Sequence, residues 1–275
     1  MKNIDLETVE GFGREWKSFN YSEVENLEIT EIFTSYFSIF HWERLPNEAV
    51  GFDLGCGSGR WAKFVSPKVG TLHCIDASTA ALEVAKNNLL KVENCEYYHA
   101  SVDHIPLPDN SMDFGYSLGV LHHVPNTFLG IQACVEKLKP GAPLLLYLYY
   151  AFDNRPWWFR LIWQLSNIIR QGIYRLPYPV RYGVSQMIAL LVYLPLARFS
   201  LLLEKLGLNV DVIPLSIYRS RSFYVMRNDS LDRFGTKLES RFTQDEIRQM
   251  MEAAGLINIV FSDRAPYWCV VGYKK

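Results

Sequence analysis

Apolar and polar positions along this chain repeat with two different periods. Residues 23–42 place Ile29, Ile32, Phe33, Tyr36, Phe37 and Phe40 three and four apart, which predicts a helix, and Pro46-Asn47-Glu48 breaks it. Short apolar runs at 49–54, 72–75, 95–99, 112–118 and 144–150 predict strands. Helical stretches lie between them: 78–85 starts at the cap residue Ser78, and 128–138 ends at Lys139-Pro140-Gly141. Strand alternating with helix implies a parallel sheet covered on both faces.

Beyond residue 150 the alternation stops. Pro156 opens a helical run with Trp157, Leu161, Leu165 and Ile168 on one face and Gly172 as its stop. A second run begins at Val180, is interrupted by Pro195 and stops at Gly207. Alternation then returns. Thr243 and Glu246 form a capping box, Gly255 closes that helix, and 257–261 with 268–273 read as an antiparallel hairpin. The expected fold is α/β: a doubly wound sheet, mostly parallel with an antiparallel last strand, carrying a helical insertion after the fifth strand. The expected divisions are a helical segment at 1–48, a sheet domain at 49–150 and 240–275, and an insertion at 151–239.

Composition narrows the class. Over 275 residues, 28 Lys+Arg balance 29 Asp+Glu, which argues against a general nucleic-acid binder. Cys56, Cys74, Cys95, Cys134 and Cys269 are scattered without a Cys-x-x-Cys pair, so neither a disulfide framework nor a zinc site is expected. The scattered thiols and a polar start without a signal peptide point to the cytoplasm.

The strongest chemical signal is Asp53-Leu54-Gly55-Cys56-Gly57-Ser58-Gly59, where an apolar strand runs into alternating glycines and then a helix. Glycines there let backbone turn tightly and approach a ligand, and the helix start offers free N–H groups. The dinucleotide fingerprint Gly-x-Gly-x-x-Gly/Ala fails from either Gly55 or Gly57. Asp76 ends the second strand, where a carboxylate can accept both hydroxyls of a ribose; a simple turn aspartate is the plainer alternative.

The Asp-x-Gly-x-Gly-x-Gly pattern resembles the first motif of the class I, Rossmann-like S-adenosylmethionine-dependent methyltransferases. The stretch Ser117-Leu118-Gly119-Val120-Leu121-His122-His123-Val124-Pro125 resembles the type 11 group, which includes the ubiquinone and menaquinone biosynthesis C-methyltransferases. The resemblance covers 49–150 well, 240–275 moderately and 151–225 poorly. It implies S-adenosylmethionine as cofactor, S-adenosylhomocysteine as product, and Asp53, Gly55, Cys56, Gly57, Gly59, Asp76, Ala77 and Ser117 around the cofactor. Ser101, Val102 and Asp103 fall where relatives pack on the adenine; relatives often have aspartate at the position of Ser101. Trp16, within Phe12-Gly13-Arg14-Glu15-Trp16, falls in an entry segment that crosses the cofactor pocket in relatives, with core packing as the plainer use. One of His122 and His123 is expected to be structural and the other to act as a general base. No further ligands accompany the pair, so no metal is expected.

The insertion differs from the rest. Residues 151–206 hold seven Lys/Arg against two acids, a net +5, and ten aromatics among 56 residues. By resemblance it is a lid over a small-molecule substrate: a sugar or glycan precursor, a quinone-like lipid or a secondary metabolite. Its apolar stripe is expected to be buried on the catalytic domain or on a second subunit of a homodimer. A peripheral membrane contact for a lipid-linked substrate is the alternative. Spanning is not expected, because the apolar run 187–197 has 11 residues and contains Pro195. Arg219, Tyr224 and Asp232 are the candidate substrate contacts, two nearby arginines suiting an anionic group. The rival functions are a nicotinamide-dependent oxidoreductase and a cofactor-binding module without transfer.

Overall fold

A computed structural model describes residues 2–21, 24 and 26–275. They divide into two compact units. The first comprises Met1–Glu23, Thr30–Ala151 and Leu238–Lys275; the second comprises Val24–Ile29 and Phe152–Lys237.

The first unit is built on seven strands: β1 (Val50–Leu54), β2 (Thr71–Asp76), β3 (Cys95–His99), β4 (Phe114–Leu118), β5 (Pro143–Tyr147), β6 (Leu256–Phe261) and β7 (Cys269–Lys274). Their order across the sheet is β3-β2-β1-β4-β5-β7-β6. The first five are parallel, and β7 runs antiparallel to both neighbours, as expected. The final hairpin folds back so that β7, not β6, pairs with β5. That order reverses beside β1, so the carboxyl ends of β1 and β4 open the crevice where such sheets bind ligands.

Helices α1 (Leu6–Ser18), α2 (Asn26–Tyr36, its first turn in the second unit), α3 (Ala62–Val65), α4 (Thr79–Asn88) and α5 (Thr127–Lys137) precede β5. Asp5, Ser78 and Asn126 cap α1, α4 and α5 by accepting backbone N–H bonds. The expected capping box at Thr243 and Glu246 is present and starts the later helix Gln244–Ala253. The β1–β4 pair is sealed by reciprocal packing: a side chain at Gly51 would meet the Phe114 ring, and one at Gly115 the Phe52 ring. The N-terminal aromatics build a second layer, with Phe37 stacked on Phe33 and Trp42 and edge-on to Tyr116. Much of the aromatic content therefore serves as core.

The second unit contains α6 (Trp157–Ile173), α7 (Tyr178–Ile188), α8 (Leu194–Lys205) and α9 (Phe223–Gly235); Gln244–Ala253, in the first unit, is α10. Three expectations need correction here. Gly172 lies inside α6 and does not stop it. Pro195 does not break the next helix: a π turn at Ala189–Tyr193 joins α7 to α8, and Pro195 falls in the first turn of α8, where its missing N–H costs little. The result is a helix of 28 residues, Tyr178–Lys205, long and apolar enough by length and composition to cross a membrane, so an 11-residue limit no longer applies. The apolar stripe of α6 is not buried in the chain: Trp157, Leu165 and Ile168 are exposed. Gly207 does end the long helix, at φ +80°.

Candidate cofactor and active site

The glycine loop leaves β1 in the left-handed region, with Gly55 at φ +79° and Gly57 at φ +54°. Gly55 N and Cys56 N both donate to Ile75 O, which ties the turn to β2. A side chain at Gly55 would lie 2.3 Å from Val120 Cγ2, and one at Gly57 2.8 Å from the Trp16 ring. Only glycine meets both demands. Trp16 therefore lies flush against the loop, and the Arg60 guanidinium sits over its ring at 5.1 Å. The helix after the loop is shorter than expected. α3 is a single turn followed by a 3₁₀ turn at Ser66–Lys68, so its dipole adds little.

Asp76 is the organised carboxylate. Oδ2 accepts from Gly57 N at 2.9 Å and Oδ1 from Ser78 N at 2.8 Å. Burial raises its pKa, and those two N–H groups oppose the rise. Each oxygen keeps a lone-pair direction for a further donor. Ala77 follows, with its carbonyl against His99 Nε2 at 2.9 Å.

Asp53 stands differently. It is 1% exposed, paired in register with Tyr116 on β4. Burial pushes its pKa up to about 8; the Tyr116 phenol opposes the rise and the Asp76 carboxylate adds to it. The acid is neutral at pH 7 and shut inside the sheet, so its side chain stays behind the loop. Ser117 is likewise committed, its buried Oγ donating to Leu54 O at 2.9 Å. Cys56 is buried with its thiol pushed up to about 11.

In the stretch after β3, Ser101 is half-buried and its carbonyl accepts from His104 N. Val102 packs into the main core. Asp103 is tied to the N-terminal segment: both of its oxygens accept from Asn3 N at 2.7 Å, while Asn3 Nδ2 donates to Asn126 O. That pins the N-terminal segment to the sheet unit.

Both histidines of the Leu-His-His turn are buried. His123 is anchored, its Nδ1 lying 2.6 Å from Leu238 O and its ring 4.8 Å from Phe12. A carbonyl can only accept, so Nδ1 carries the proton. His122 stacks on Tyr149 at 3.8 Å, and neither of its ring nitrogens has a hydrogen-bond partner. Burial holds its pKa well below the usual value, with His123 and Arg241 adding to the effect. Among the described residues no group of three His, Cys, Asp or Glu could hold a metal.

Several residues at this site carry no motif. Tyr147, which ends β5, and Tyr149 two residues on project to one side, as strand alternation requires. With Tyr36 and Trp61 they form a ring wall from His122 to the glycine loop: Tyr149 to Tyr147 at 5.7 Å, Tyr147 to Tyr36 at 4.9 Å and Tyr36 to Trp61 at 5.2 Å. Arg241 lies over Tyr149 at 5.0 Å and pairs with the buried Glu239 at 2.8 Å. The Tyr-x-Tyr spacing was the only sequence signal for the wall; Glu239 and Arg241 are distant in sequence and gave none. A cleft of about 470 Å³ lined by His41, Arg44, Asn258 and Tyr273 holds none of these residues.

The candidate substrate residues lie in the second unit. Arg219 is ion-paired with Glu204 at 2.8 Å. Tyr224 and Asp232 are half-buried in α9, where Asp232 Oδ1 accepts from Thr236 Oγ1.

Comparison with known proteins decides the class of the first unit. Residues 52–146 match the family model described as a methyltransferase domain. Over those residues the first unit carries a methyltransferase domain. It is 34% identical over 115 residues to the tRNA (carboxymethyluridine(34)-5-O)-methyltransferase of Schizosaccharomyces pombe, covering 38% of this chain and 44% of that protein. It is 30% identical over 159 residues to the ubiquinone biosynthesis O-methyltransferase of Nitrosospira multiformis, covering 56% and 63%. The match thus spans less than two thirds of these curated relatives. An S-adenosylmethionine-dependent methyltransferase structure from Thermotoga maritima shares the fold at 14% identity, a TM-score of 0.51, and 98% and 100% coverage. The methyltransferase domain implies S-adenosylmethionine as cofactor. The loop fits it: glycine backbone open to close approach, Asp76 with acceptor capacity left, and Trp16 walling one side.

Proposed function

We propose that this chain is an S-adenosylmethionine-dependent methyltransferase of a small molecule. The observation that carries the reading is Asp76, fixed by the Gly57 and Ser78 N–H groups beside the glycine loop of a methyltransferase domain. When bound, the cofactor supplies an electrophilic methyl group on a sulfonium sulfur. The protein's part is to bind, orient and dry the site. Asp76 accepts the ribose hydroxyls, and the loop glycines let backbone approach the cofactor. The wall of Tyr36, Tyr147 and Tyr149 keeps water from the reacting face. His122, with both ring nitrogens unpartnered, is the candidate to take a proton from an acceptor hydroxyl or amine as the methyl bond forms, and the burial that keeps the ring neutral also makes it a weak base.

The relatives that act on tRNA support a second reading, an RNA acceptor. Charge opposes it: the second unit carries twelve Lys/Arg against seven Asp/Glu, so the first unit of a chain of net −1 carries −6. A unit of that charge repels phosphate. Labelled S-adenosylmethionine incubated with a source lysate separates the readings. Label in the small-molecule fraction supports the proposal; nuclease-sensitive label in RNA replaces it; no label anywhere refutes both.

A further inference from the structure

The second unit is built with its apolar residues outward. On α6, Leu161, Leu165, Ile168 and Ile169 are exposed, while Arg170 is buried and donates to Thr236 O at 2.7 Å. The helix Tyr178–Lys205 repeats the inversion. Val180, Met187, Leu190, Leu191, Phe199 and Leu202 form an exposed stripe at helical spacing. Its inward side holds Arg181, Ser185, Ala189 and Ser200. Soluble monomers rarely leave an apolar stripe of this length uncovered.

The occupant follows from charge and from what lies behind the helix. Residues 182–197 contain no charged side chain, and the helix is flanked by exposed Arg175 before it and Arg198 and Lys205 at its far end. Arg198 also holds the carbonyls of Arg219 and Arg221, which brings both arginines to that end, Arg219 paired there with Glu204. A second copy would bring the same +5 unit to the contact, whereas an anionic bilayer brings the opposite sign. The helix cannot cross in this fold. α9 packs on its inner side through Ser230 Oγ to Ser185 O and Arg227 Nε to Gln186 Oε1, and α9 also carries Asp229, Asp232 and Arg233. Crossing would draw those charges into hydrocarbon.

We propose that the exposed stripe of Tyr178–Lys205 seats this protein in the surface of an anionic bilayer. The helix lies in the interface, with Arg198 and Lys205 at the phosphate level. Membrane seating is separable from methyl transfer, because it draws on the second unit alone.

The test is flotation of the full chain with vesicles of phosphatidylcholine mixed with phosphatidylglycerol, and with phosphatidylcholine alone. The unmodified protein should float with the anionic vesicles and far less with the neutral ones. Leu190→Glu/Leu191→Glu should lower the floated fraction about tenfold, since both exposed side chains belong to the stripe. Arg198→Glu/Lys205→Glu should lower it on anionic vesicles only. Unchanged helical circular dichroism and thermal unfolding in the same variants show that the second unit stays folded. Absence of flotation, or equal flotation of the leucine variant, overturns the proposal. So does a dimer in sedimentation that the leucine variant splits, because the stripe would then seat a second copy.

Discussion

Substituting Asp53 by asparagine tests the buried acid behind the glycine loop. Unfolded, the carboxyl has its ordinary value of 3.8; folded, it is pushed up to about 8 by burial. Between those values the folded chain holds a proton that the unfolded chain has released. Stability is therefore greatest below the unfolded value, falls as pH rises toward 8, and is flat above it. At pH 7 the three-unit gap corresponds to about 4 kcal/mol, as a ceiling. Asp53→Asn keeps the shape and removes the titration. It should stabilise the protein by about 2–4 kcal/mol at pH 7, with no gain at pH 4. Urea denaturation at pH 4, 6 and 8, read by tryptophan fluorescence, measures both. An equal change at all three pH values would refute the assignment of a neutral buried acid, and so would no change at all.

Gly55→Ala forces a left-handed alanine against Val120 and should cost about 2–5 kcal/mol in a denaturation series; a cost under about 0.5 kcal/mol removes the steric account of the loop. His122→Phe keeps the stack on Tyr149 and removes two buried nitrogens without partners, so stability should hold or rise. The same variant should lose about a hundredfold in methyl transfer if the acceptor needs a base, and full activity would dismiss that role. Because burial keeps His122 neutral, wild-type turnover should show no histidine inflection between pH 6 and 8.

The sheet was legible because each strand is an apolar run bounded by turn residues. The glycine loop was legible because three alternating glycines after a strand have few other uses. The order of the last hairpin was not, since either strand could pair with β5. α9 escaped notice because Asn228 and Ser230 lie on its buried side, where polar partners erase the apolar period. The stripe on α6 was visible, but its direction was not: periodicity shows that a face exists, not whether water, protein or lipid covers it. Asp103 illustrates the limit at the site. Its place after β3 left an adenine contact and a turn aspartate equally open, and only the fold shows the Asn3 N–H, a hundred residues away, bonded to both oxygens. The aromatic wall formed because Tyr36 arrives from the N-terminal segment, a pairing no local motif encodes.

The most direct test of the central claim is calorimetric titration of S-adenosylhomocysteine into the purified chain and its Asp76→Ala variant. The account predicts one site per chain, weakened about 10- to 100-fold by the substitution, the usual worth of hydrogen bonds to a charged acceptor. No heat and no thermal shift with the unmodified chain, or equal affinity in the variant, would contradict it.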